Sequence, residues 1–355
     1  MKLLFASSVL LLLFIFSSCD GYKSKSGFNT VTGKVGEILV VTEKGVWESD
    51  LKECLDSNLT QWIMPYFPDV ATFELIHKTP AHFEKGVKRY RNILFLKIDP
   101  KFKGKKGKII KHKDVWGKGQ IVIDITARDY AMLEKTCKSG LDEVHDIYDR
   151  ASWTRLIDHF NAYDNGKVKS AIQKQFGIDI ALPARTKMVT KQKNFYRLEF
   201  PAASRPMEYA SSGGNSEDVG LIYSGLMIYE YDFKDSTQFE FDKLLRDRDT
   251  MLKAYMPHET PGMYMGTQYE KIVYPEGNVA YSQDGKVKGY DIRGMFMFKG
   301  RPIYSTGGAF WEFHFVHPNR KKIICLSGYV DADPTTSWTH PLREVQAVLR
   351  SVKLK

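Results

Sequence analysis

The chain has 355 residues, of which 43% are hydrophobic and 13% aromatic, and its formal net charge at pH 7 is +10. This hydrophobic content excludes an intrinsically disordered protein, because such chains lack the apolar surface that stabilises a folded core. The length suffices for two domains of about 100–200 residues each. The positive charge favours an anionic partner such as nucleic acid, a membrane surface or an acidic polymer, although the same charge also serves solubility.

Residues 1–19 have the order of a secretory signal. Lys2 supplies a positive charge, residues 3–16 are almost entirely apolar, and the small residues Ser17 and Ser18 precede Cys19. The apolar run is shorter than the roughly 20 residues that a membrane-spanning helix needs. The end of this segment resembles the lipobox of bacterial lipoproteins, although Phe16 stands where that motif usually has Leu. The resemblance implies cleavage before Cys19 and a lipid on its thiol; a plain signal peptide and an uncleaved anchor are the alternatives.

The leader sets the expected location of the protein. An exported protein does not normally meet nucleic acid, so we expect no nucleic-acid partner and assign the charge to membrane headgroups or envelope polymers. Residues 20–32 are rich in Gly, Ser and Lys and predict a flexible tether. We therefore expect a lipid anchor in the inner or outer membrane of the cell envelope, with the body facing the periplasm.

The first predicted unit, residues 33–183, alternates strands with helices. Its long helix carries Leu141, Val144 and Tyr148 at helical spacing, and Gly140 or Arg150 is a point where it can break. A shorter helix ends at Gly177. The strands are predicted at 36–41, 73–76, 90–98 and 120–125, and the helices at 48–63, 129–160 and 168–176.

The second predicted unit, residues 190–355, follows a polar stretch that marks the boundary. Its strands are predicted at 195–200, 226–231, 263–274, 288–298, 309–316 and 322–330, with helices after Thr237 and from Pro341. These elements predict an α+β fold of mainly antiparallel sheets with helices packed on one face. Trp62-Ile63-Met64-Pro65 and Tyr255-Met256-Pro257 are similar, which favours two similar units; a chance similarity between α+β segments is the alternative.

No strong catalytic motif is present, so the sequence favours a binding protein over an enzyme. Ser49 and Lys52 have the SxxK spacing of penicillin-binding proteins, but the SDN and KTG motifs are absent and Ser49 fits a helix cap better. Glu312 and His314 share one face of a predicted strand, while Trp311, Phe313 and Phe315 take the core face. A carboxylate beside a histidine is suited to acid–base chemistry, and an ordinary polar face is the alternative.

A second group of polar residues lies at helical spacing and is a candidate for divalent-cation binding, with a solvated helix face as the alternative. It comprises Asp142, His145, Asp146 and Asp149. Cys54, Cys137 and Cys325 each lie among apolar residues and are interpreted as small buried hydrophobic side chains. No Cys/His spacing indicates zinc, and no cofactor is predicted.

Two stretches are candidate interaction surfaces. A basic, glycine-rich loop or hairpin at 101–118 is expected to lie on anionic lipid, unless it is simply solvated. Its lysines include Lys103, Lys105, Lys106, Lys108, Lys111 and Lys113. Methionine and aromatic residues concentrate at 251–269 and 295–298, where they form either a partner-binding surface or ordinary core.

Several short motifs in chain order resemble an uncharacterised domain-of-unknown-function family (DUF4837) of lipoproteins from the Bacteroidota. They are Glu37-Ile38-Leu39-Val40-Val41, Arg91-Asn92-Ile93-Leu94, Asp114-Val115-Trp116, Ile292-Arg293-Gly294, and Gly328-Tyr329-Val330 followed by Pro341, Arg343 and Glu344. The resemblance implies an envelope lipoprotein and supplies no catalytic residue. We therefore expect a membrane-anchored binding or scaffold module for an envelope polymer or protein. The alternative is an envelope-polymer hydrolase or transferase that uses Glu312 and His314.

Overall fold

A computed structural model describes residues 30–67, 69–163, 165–206, 219–273, 278–300, 307–332 and 337–355. The predicted signal at 1–19, the predicted lipid attachment at Cys19 and most of the predicted tether at 20–32 lie outside these residues. Within the described residues no helix has the length and apolar character needed to cross a membrane.

The first unit is built on a five-stranded sheet in which parallel pairing dominates. The strand order is β2-β1-β3-β5-β4, and only the edge strand β4 runs antiparallel to its neighbour. The strands are β1 (Glu37–Val41), β2 (Glu74–Lys78), β3 (Asn92–Ile98), β4 (Lys108–Lys113) and β5 (Ile121–Ala127). Strand β1 is buried on both faces, which matches its continuous apolar run and is typical of parallel sheets.

Helices cover one face of this sheet, where leucines of α2 and α3 meet the isoleucines of β5. The helices are α1 (Lys44–Trp47), α2 (Leu51–Leu59) and α3 (Tyr130–Asn161). The other face carries a smaller apolar cluster with Phe83, Phe95 and Trp116. Phe83 directly follows a short 3-10 helix, Pro80–His82.

The predicted long helix is confirmed as α3, which runs without a break. Asp129 caps its start by accepting a hydrogen bond from the Met132 backbone N–H at 2.8 Å. Gly140 does not interrupt the helix; a Cβ atom there would collide with the Ile109 side chain of β4. The glycine therefore allows the edge strand to pack closely against α3.

The second unit is built on a larger antiparallel sheet. The strand order is β11-β13-β14-β15-β10-β8-β7, with β12 beside β13 and β9 beside β10. The strands are β7 (Lys187–Gln192), β8 (Phe195–Glu199), β9 (Ala203–Pro206), β10 (Val219–Asp232), β11 (Tyr264–Val273), β12 (Val279–Ala280), β13 (Lys288–Lys299), β14 (Gly307–His317) and β15 (Lys322–Ala332). The α+β class with mostly antiparallel pairing is thereby confirmed.

Helices cover both faces of this sheet, whereas the sequence predicted one covered face. One face packs against α5 (Phe241–Tyr255), which a short 3-10 helix (Ser236–Phe239) precedes. The opposite face packs against α4 (Gly166–Phe176) and α6 (Thr339–Arg350). Strands β14 and β15 are consequently buried along nearly their whole length.

The two units are confirmed, but they are not copies, since one sheet is mainly parallel and the other antiparallel. Phe176 and Ile178 pack in the core of the second unit. A short pairing of β6 (Ile178–Asp179) with β16 (Lys353–Leu354) fastens this segment to the chain end. These residues precede the boundary predicted at 183–190, which places them in the first unit although they pack in the second.

A buried arginine of α6 joins the two units. Arg343 is ion-paired with Asp149 of α3, and it donates a hydrogen bond of 2.9 Å to the Thr72 carbonyl oxygen. Burial favours the neutral carboxyl, but Arg343 outweighs it and lowers the pKa of Asp149 below its ordinary value.

Candidate functional site

The structure places Glu312 and His314 in a buried polar cluster between β14 and α5. Glu312 is 0% exposed and His314 1% exposed. The predicted alternation is correct, because Trp311, Phe313 and Phe315 lie on the opposite face of β14. The polar face of β14 is nevertheless not solvated, because α5 covers it.

Arg248 of α5 provides the counter-charge in this cluster. Its Nη1 atom is ion-paired with Glu312 Oε1, its Nε atom donates to Thr267 Oγ1 at 3.0 Å, and its guanidinium lies 3.7 Å from the centre of the Phe310 ring. These contacts satisfy much of a charge that is otherwise costly to bury. Arg248 was not predicted from the sequence. The feature that could have pointed to it is its position as a lone arginine on the apolar helix face that carries Leu244, Leu245 and Leu252.

The second carboxylate oxygen of Glu312 faces a histidine, and that histidine faces a thiol. Glu312 Oε2 lies 2.9 Å from His314 Nε2, and Cys325 Sγ lies 3.4 Å from the same nitrogen. Burial opposes ionisation of Glu312, but the Arg248 charge and the hydrogen bond with His314 lower its pKa. Burial also raises the pKa of the Cys325 thiol well above its ordinary value.

The α3 candidates do not converge on one site. Asp149 is engaged by Arg343, Asp142 and Asp146 are exposed, and the nearest histidine contact is His145 Nδ1 to Asp146 Oδ1 at 3.6 Å. Among the described residues, the group of three ligand types within 4.8 Å of one another is Glu312, His314 and Cys325. The helix α3 residues form no such group.

The side chains of Ser49 and Lys52 bind different neighbours in the structure. Ser49 Oγ donates to the Val46 carbonyl oxygen at 2.7 Å and accepts from the Leu51 N–H at 3.4 Å, so it helps to start α2. Lys52 is ion-paired with Asp56 one turn later. The N-cap residue of α2 is Asp50, whose side chain makes no capping hydrogen bond, so a cap at Ser49 is predicted one residue too early.

The predicted lysines all lie on the surface of the first unit. Lys103, Lys105 and Lys106 occupy the segment before β4, and Lys108, Lys111 and Lys113 lie on β4 itself. Beside them is a shallow cleft of about 430 Å³, which contains Phe83, Lys88, Lys97, His112 and Trp116. Thr30 forms a bridge with Lys118, so the tether joins the fold next to this basic surface.

A larger cleft, of about 690 Å³, opens on the second sheet and was not predicted as a site. By strand alternation, Cys325, Tyr329 and Asp331 of β15 point to the same face. Helix α5 covers the Cys325 end of this face, and the Asp331 end lines the cleft. We call this the β15 cleft; its charged and polar lining includes Arg185, Lys187, Arg197, Glu199, Tyr329 and Asp331.

At the base of the β15 cleft, Arg197 is hydrogen-bonded to two neighbouring side chains. Arg197 Nη2 donates to Glu199 Oε1 at 2.7 Å, and Arg197 Nε donates to the Tyr329 hydroxyl at 3.4 Å. Gly225 makes this possible, because a Cβ atom there would lie 2.6 Å from the Tyr329 hydroxyl oxygen. The strands therefore hold these side chains in place before any ligand arrives.

Asp331 is a partly buried carboxylate in the cleft without an opposite charge beside it in the described part of the chain. Burial raises the pKa of its carboxyl above the ordinary value. Among the described residues no hydrogen bond or ion pair to this carboxylate is found, and the same holds for Arg185 and Lys187. Met256, Met265 and Phe298 form the apolar wall, so part of the predicted methionine and aromatic surface lies here.

Comparison with solved structures gives only weak similarities. The Ran-binding protein Mog1p of Saccharomyces cerevisiae is 8% identical with a TM-score of 0.30, over 50% of this chain and 90% of that chain. A single-substitution mutant of the protein Mog1 gives the same values. No curated protein matches the chain.

Comparison with protein families divides the chain into two parts. Residues 31–161 match a family described as a domain of unknown function, DUF8532. Residues 165–351 match a second domain of unknown function, DUF4837, which covers more than half of the chain and confirms the predicted resemblance for this part of it. The three motifs at 37–41, 91–94 and 114–116 lie in the DUF8532 match instead. The chain therefore belongs to the DUF4837 family.

Proposed function

We propose that this protein is a lipid-anchored binding module of the cell envelope that holds an envelope component in the β15 cleft. The cleft carries the proposal. Its volume of about 690 Å³ is within the usual range of ligand sites, and it combines an apolar wall with a few fixed polar groups. Arg197, Glu199, Tyr329 and Asp331 lie on strands of one sheet, which gives a rigid scaffold, and Arg185 lies in the turn before β7.

The lining favours a ligand with both acidic and basic groups. Arg185 and Lys187 supply positive charges, Asp331 supplies a carboxylate, and Arg197 and Glu199 balance each other. Met256 and Phe298 offer apolar contact area. A peptide-bearing envelope polymer has this chemistry, since its stem peptides carry carboxylates, amines and methyl groups. We take a peptidoglycan stem peptide as the ligand class.

The leader supports the location of this binding module. The order of charge, apolar run, small residues and Cys19 is that of a lipid-anchored, exported protein. The tether joins the first unit at Thr30, whereas the β15 cleft belongs to the second unit. Residues 20–29 lie outside the described residues; a tether of that length, as predicted from the sequence, would span about 15–20 Å on average and hold the basic surface close to the membrane.

Thermal unfolding of the mature chain tests the proposal against peptidoglycan fragments, glycans, lipid headgroups and divalent metals. A ligand at 100 times its Kd adds about 2.7 kcal/mol of stability, which is a Tm increase of several degrees. We expect the increase with a stem peptide, and its loss in Arg185→Ala and Asp331→Asn. Arg128→Ala is the matched control, because Arg128 is an exposed arginine of the first unit. An unchanged shift in both cleft variants would place the ligand elsewhere.

The basic surface of the first unit supports a second candidate function, binding to anionic membrane headgroups. The six lysines are exposed, and the tether enters beside them. Each lysine near an anionic bilayer contributes about 1 kcal/mol. Because the anchor would hold the protein at the same membrane, even weak headgroup binding becomes effective.

Vesicle sedimentation of the unlipidated chain tests this second candidate. We expect binding to anionic vesicles at low salt, and a loss of about 100-fold when Lys103, Lys105 and Lys106 are changed to Ser. The control changes Lys174, Lys191 and Lys193, three exposed lysines of the second unit, to Ser. Equal binding by the two triple variants would remove the basic surface from the proposal.

Hydrolysis or group transfer at Glu312 and His314 is less well supported. Both side chains are almost completely buried, and neither lines the β15 cleft. A polymer has no described route to them, and Arg248 already occupies one carboxylate oxygen. The buried cluster therefore does not serve as an active site for a polymer in this conformation.

A further inference from the structure

We propose that Glu312, His314 and Cys325 provide three ligands of a buried binding site for a zinc-like divalent cation. The three residues lie on the facing strands β14 and β15, where His314 pairs directly with Cys325. Their ligand atoms lie within 4.8 Å of one another and are all buried. The mixture of carboxylate oxygen, imidazole nitrogen and sulfur is the set that Zn²⁺ prefers.

The distances are close to those of a tetrahedral site. With metal–ligand bonds of about 2.0–2.3 Å, neighbouring ligand atoms lie about 3.3–3.7 Å apart. His314 Nε2 lies 3.4 Å from Cys325 Sγ and 2.9 Å from Glu312 Oε2. The 2.9 Å separation is shorter than this range, so binding requires His314 and Glu312 to move apart by a few tenths of an ångström, while Cys325 Sγ already lies within 4.8 Å of the other two ligand atoms.

The surrounding residues have the positions of supporting groups. Arg248 binds Glu312 Oε1 and leaves Oε2 directed at His314, as expected when a ligating carboxylate is oriented by a hydrogen bond. His314 Nδ1 is buried and has no hydrogen-bond partner among the described residues. Asp247 of α5 interacts electrostatically with His314 but forms no hydrogen bond with Nδ1 in this structure; within the proposal, it is the carboxylate that Nδ1–H reaches when the cation is bound.

The charges balance when the cation is bound. The two positive charges of Zn²⁺ and the charge of Arg248 oppose three negative charges, on Glu312, on Asp247 and on the Cys325 thiolate. Coordination replaces the Cys325 S–H bond with a sulfur–metal bond and releases one proton to solvent. The His314 proton moves from Nε2 to Nδ1, which changes no net charge.

Titration of the full mature chain with Co²⁺ and Zn²⁺ tests the site. We expect one equivalent of Co²⁺ with a thiolate-to-cobalt charge-transfer band, displacement by Zn²⁺, and one proton released per Zn²⁺ in weakly buffered calorimetry. Cys325→Ser should abolish the band. Cys137→Ser is the matched control, because Cys137 is equally buried but lies in the first unit among apolar residues.

Asp247→Asn keeps the test decisive if substitutions of the buried ligands fail to fold. Asp247 is only partly buried, and loss of such a supporting carboxylate lowers metal affinity about 10- to 100-fold. Zinc affinity reduced to this extent in Asp247→Asn, with the near-ultraviolet circular dichroism unchanged, would support the site. No charge-transfer band in the wild-type chain, or a band that Cys325→Ser leaves intact, would overturn the proposal.

Discussion

One face of the second sheet carries charged side chains at both ends, but they are buried and paired at one end and open to solvent at the other. At the Cys325 end, helix α5 seals Arg248 against Glu312, and both side chains are fully buried. At the Asp331 end, the carboxylate and Arg185 have no partners among the described residues and line an open cleft. The buried charges of Arg248 and Glu312 oppose each other directly, although Arg248 Nη2 has no hydrogen-bond partner among the described residues, whereas the open groups leave capacity for a ligand. The difference suggests a structural or metal-binding role at one end and recognition at the other.

The sealed pair provides the largest expected effect. Glu312→Ala leaves the Arg248 guanidinium buried without its counter-charge, so we expect a loss of about 3–5 kcal/mol in the free energy of unfolding. Urea unfolding at pH 7 measures it. The control is Glu199→Ala, which removes the partner of a partly exposed arginine and should cost about 1 kcal/mol or less. Similar losses of unfolding free energy in Glu312→Ala and Glu199→Ala would contradict the proposed difference between the buried and the open end of the sheet.

The next effect concerns the ion pair between the units. Arg343→Ala removes the partner of Asp149 and a hydrogen bond to Thr72, and we expect a loss of about 2–3 kcal/mol at pH 7. The folded-state pKa of Asp149 is lowered, so this stabilisation is present above its unfolded pKa and disappears as the pH falls through its folded pKa. The difference from wild type should therefore shrink in urea unfolding at acid pH. A constant difference would contradict the pairing.

Asp291 of β13 tests whether burial of a carboxyl reduces stability even where arginines lie nearby. Burial raises its pKa to about 6, against the opposing charges of Arg293 and Arg350 and a hydrogen bond from the Trp311 indole. A raised pKa favours the protonated form in the folded state, so stability is greatest below about pH 4 and falls until about pH 6. We expect a decrease of about 3 kcal/mol. Asp291→Asn should remove this pH dependence in urea unfolding. If the pH dependence persists in the variant, another ionisable group causes it.

The smallest expected effect is at the open end. Burial raises the pKa of Asp331, so its ionised form is held at some cost at pH 7. Asp331→Asn should therefore leave stability unchanged or raise it by up to about 1 kcal/mol, although it weakens ligand binding. Thermal unfolding without ligand measures the first part. A marked destabilisation would mean that Asp331 has a structural partner rather than a ligand.

The sequence predicted much of the fold from local periodicity. The long helix α3 and six of the nine strands of the second sheet were correctly located, because their apolar residues recur at helical or strand spacing, whereas β7, β9 and β12 were not predicted. Parallel pairing in the first unit was not predicted, although the continuous apolar run Ile38–Val41 is a signal for it.

The sites were harder to predict, because their residues meet through long-range pairing. Alternation in β14 placed Glu312 and His314 on one face, but nothing in that strand shows that Arg248 of α5 covers them. The β15 cleft joins residues from 185 to 331, and no local spacing links Arg197 with Tyr329. Only the register of β8, β10 and β15 brings them together.

The most direct test of the account is hydrogen exchange of the full mature chain with and without a peptidoglycan stem peptide. We predict that the peptide slows exchange at the cleft ends of β8, β10 and β15 and at residues 256–259, and leaves the strands around Glu312 unchanged. Binding with protection confined to the first unit, or to the α5-covered end of the sheet, would contradict the assignment of the β15 cleft as the binding site.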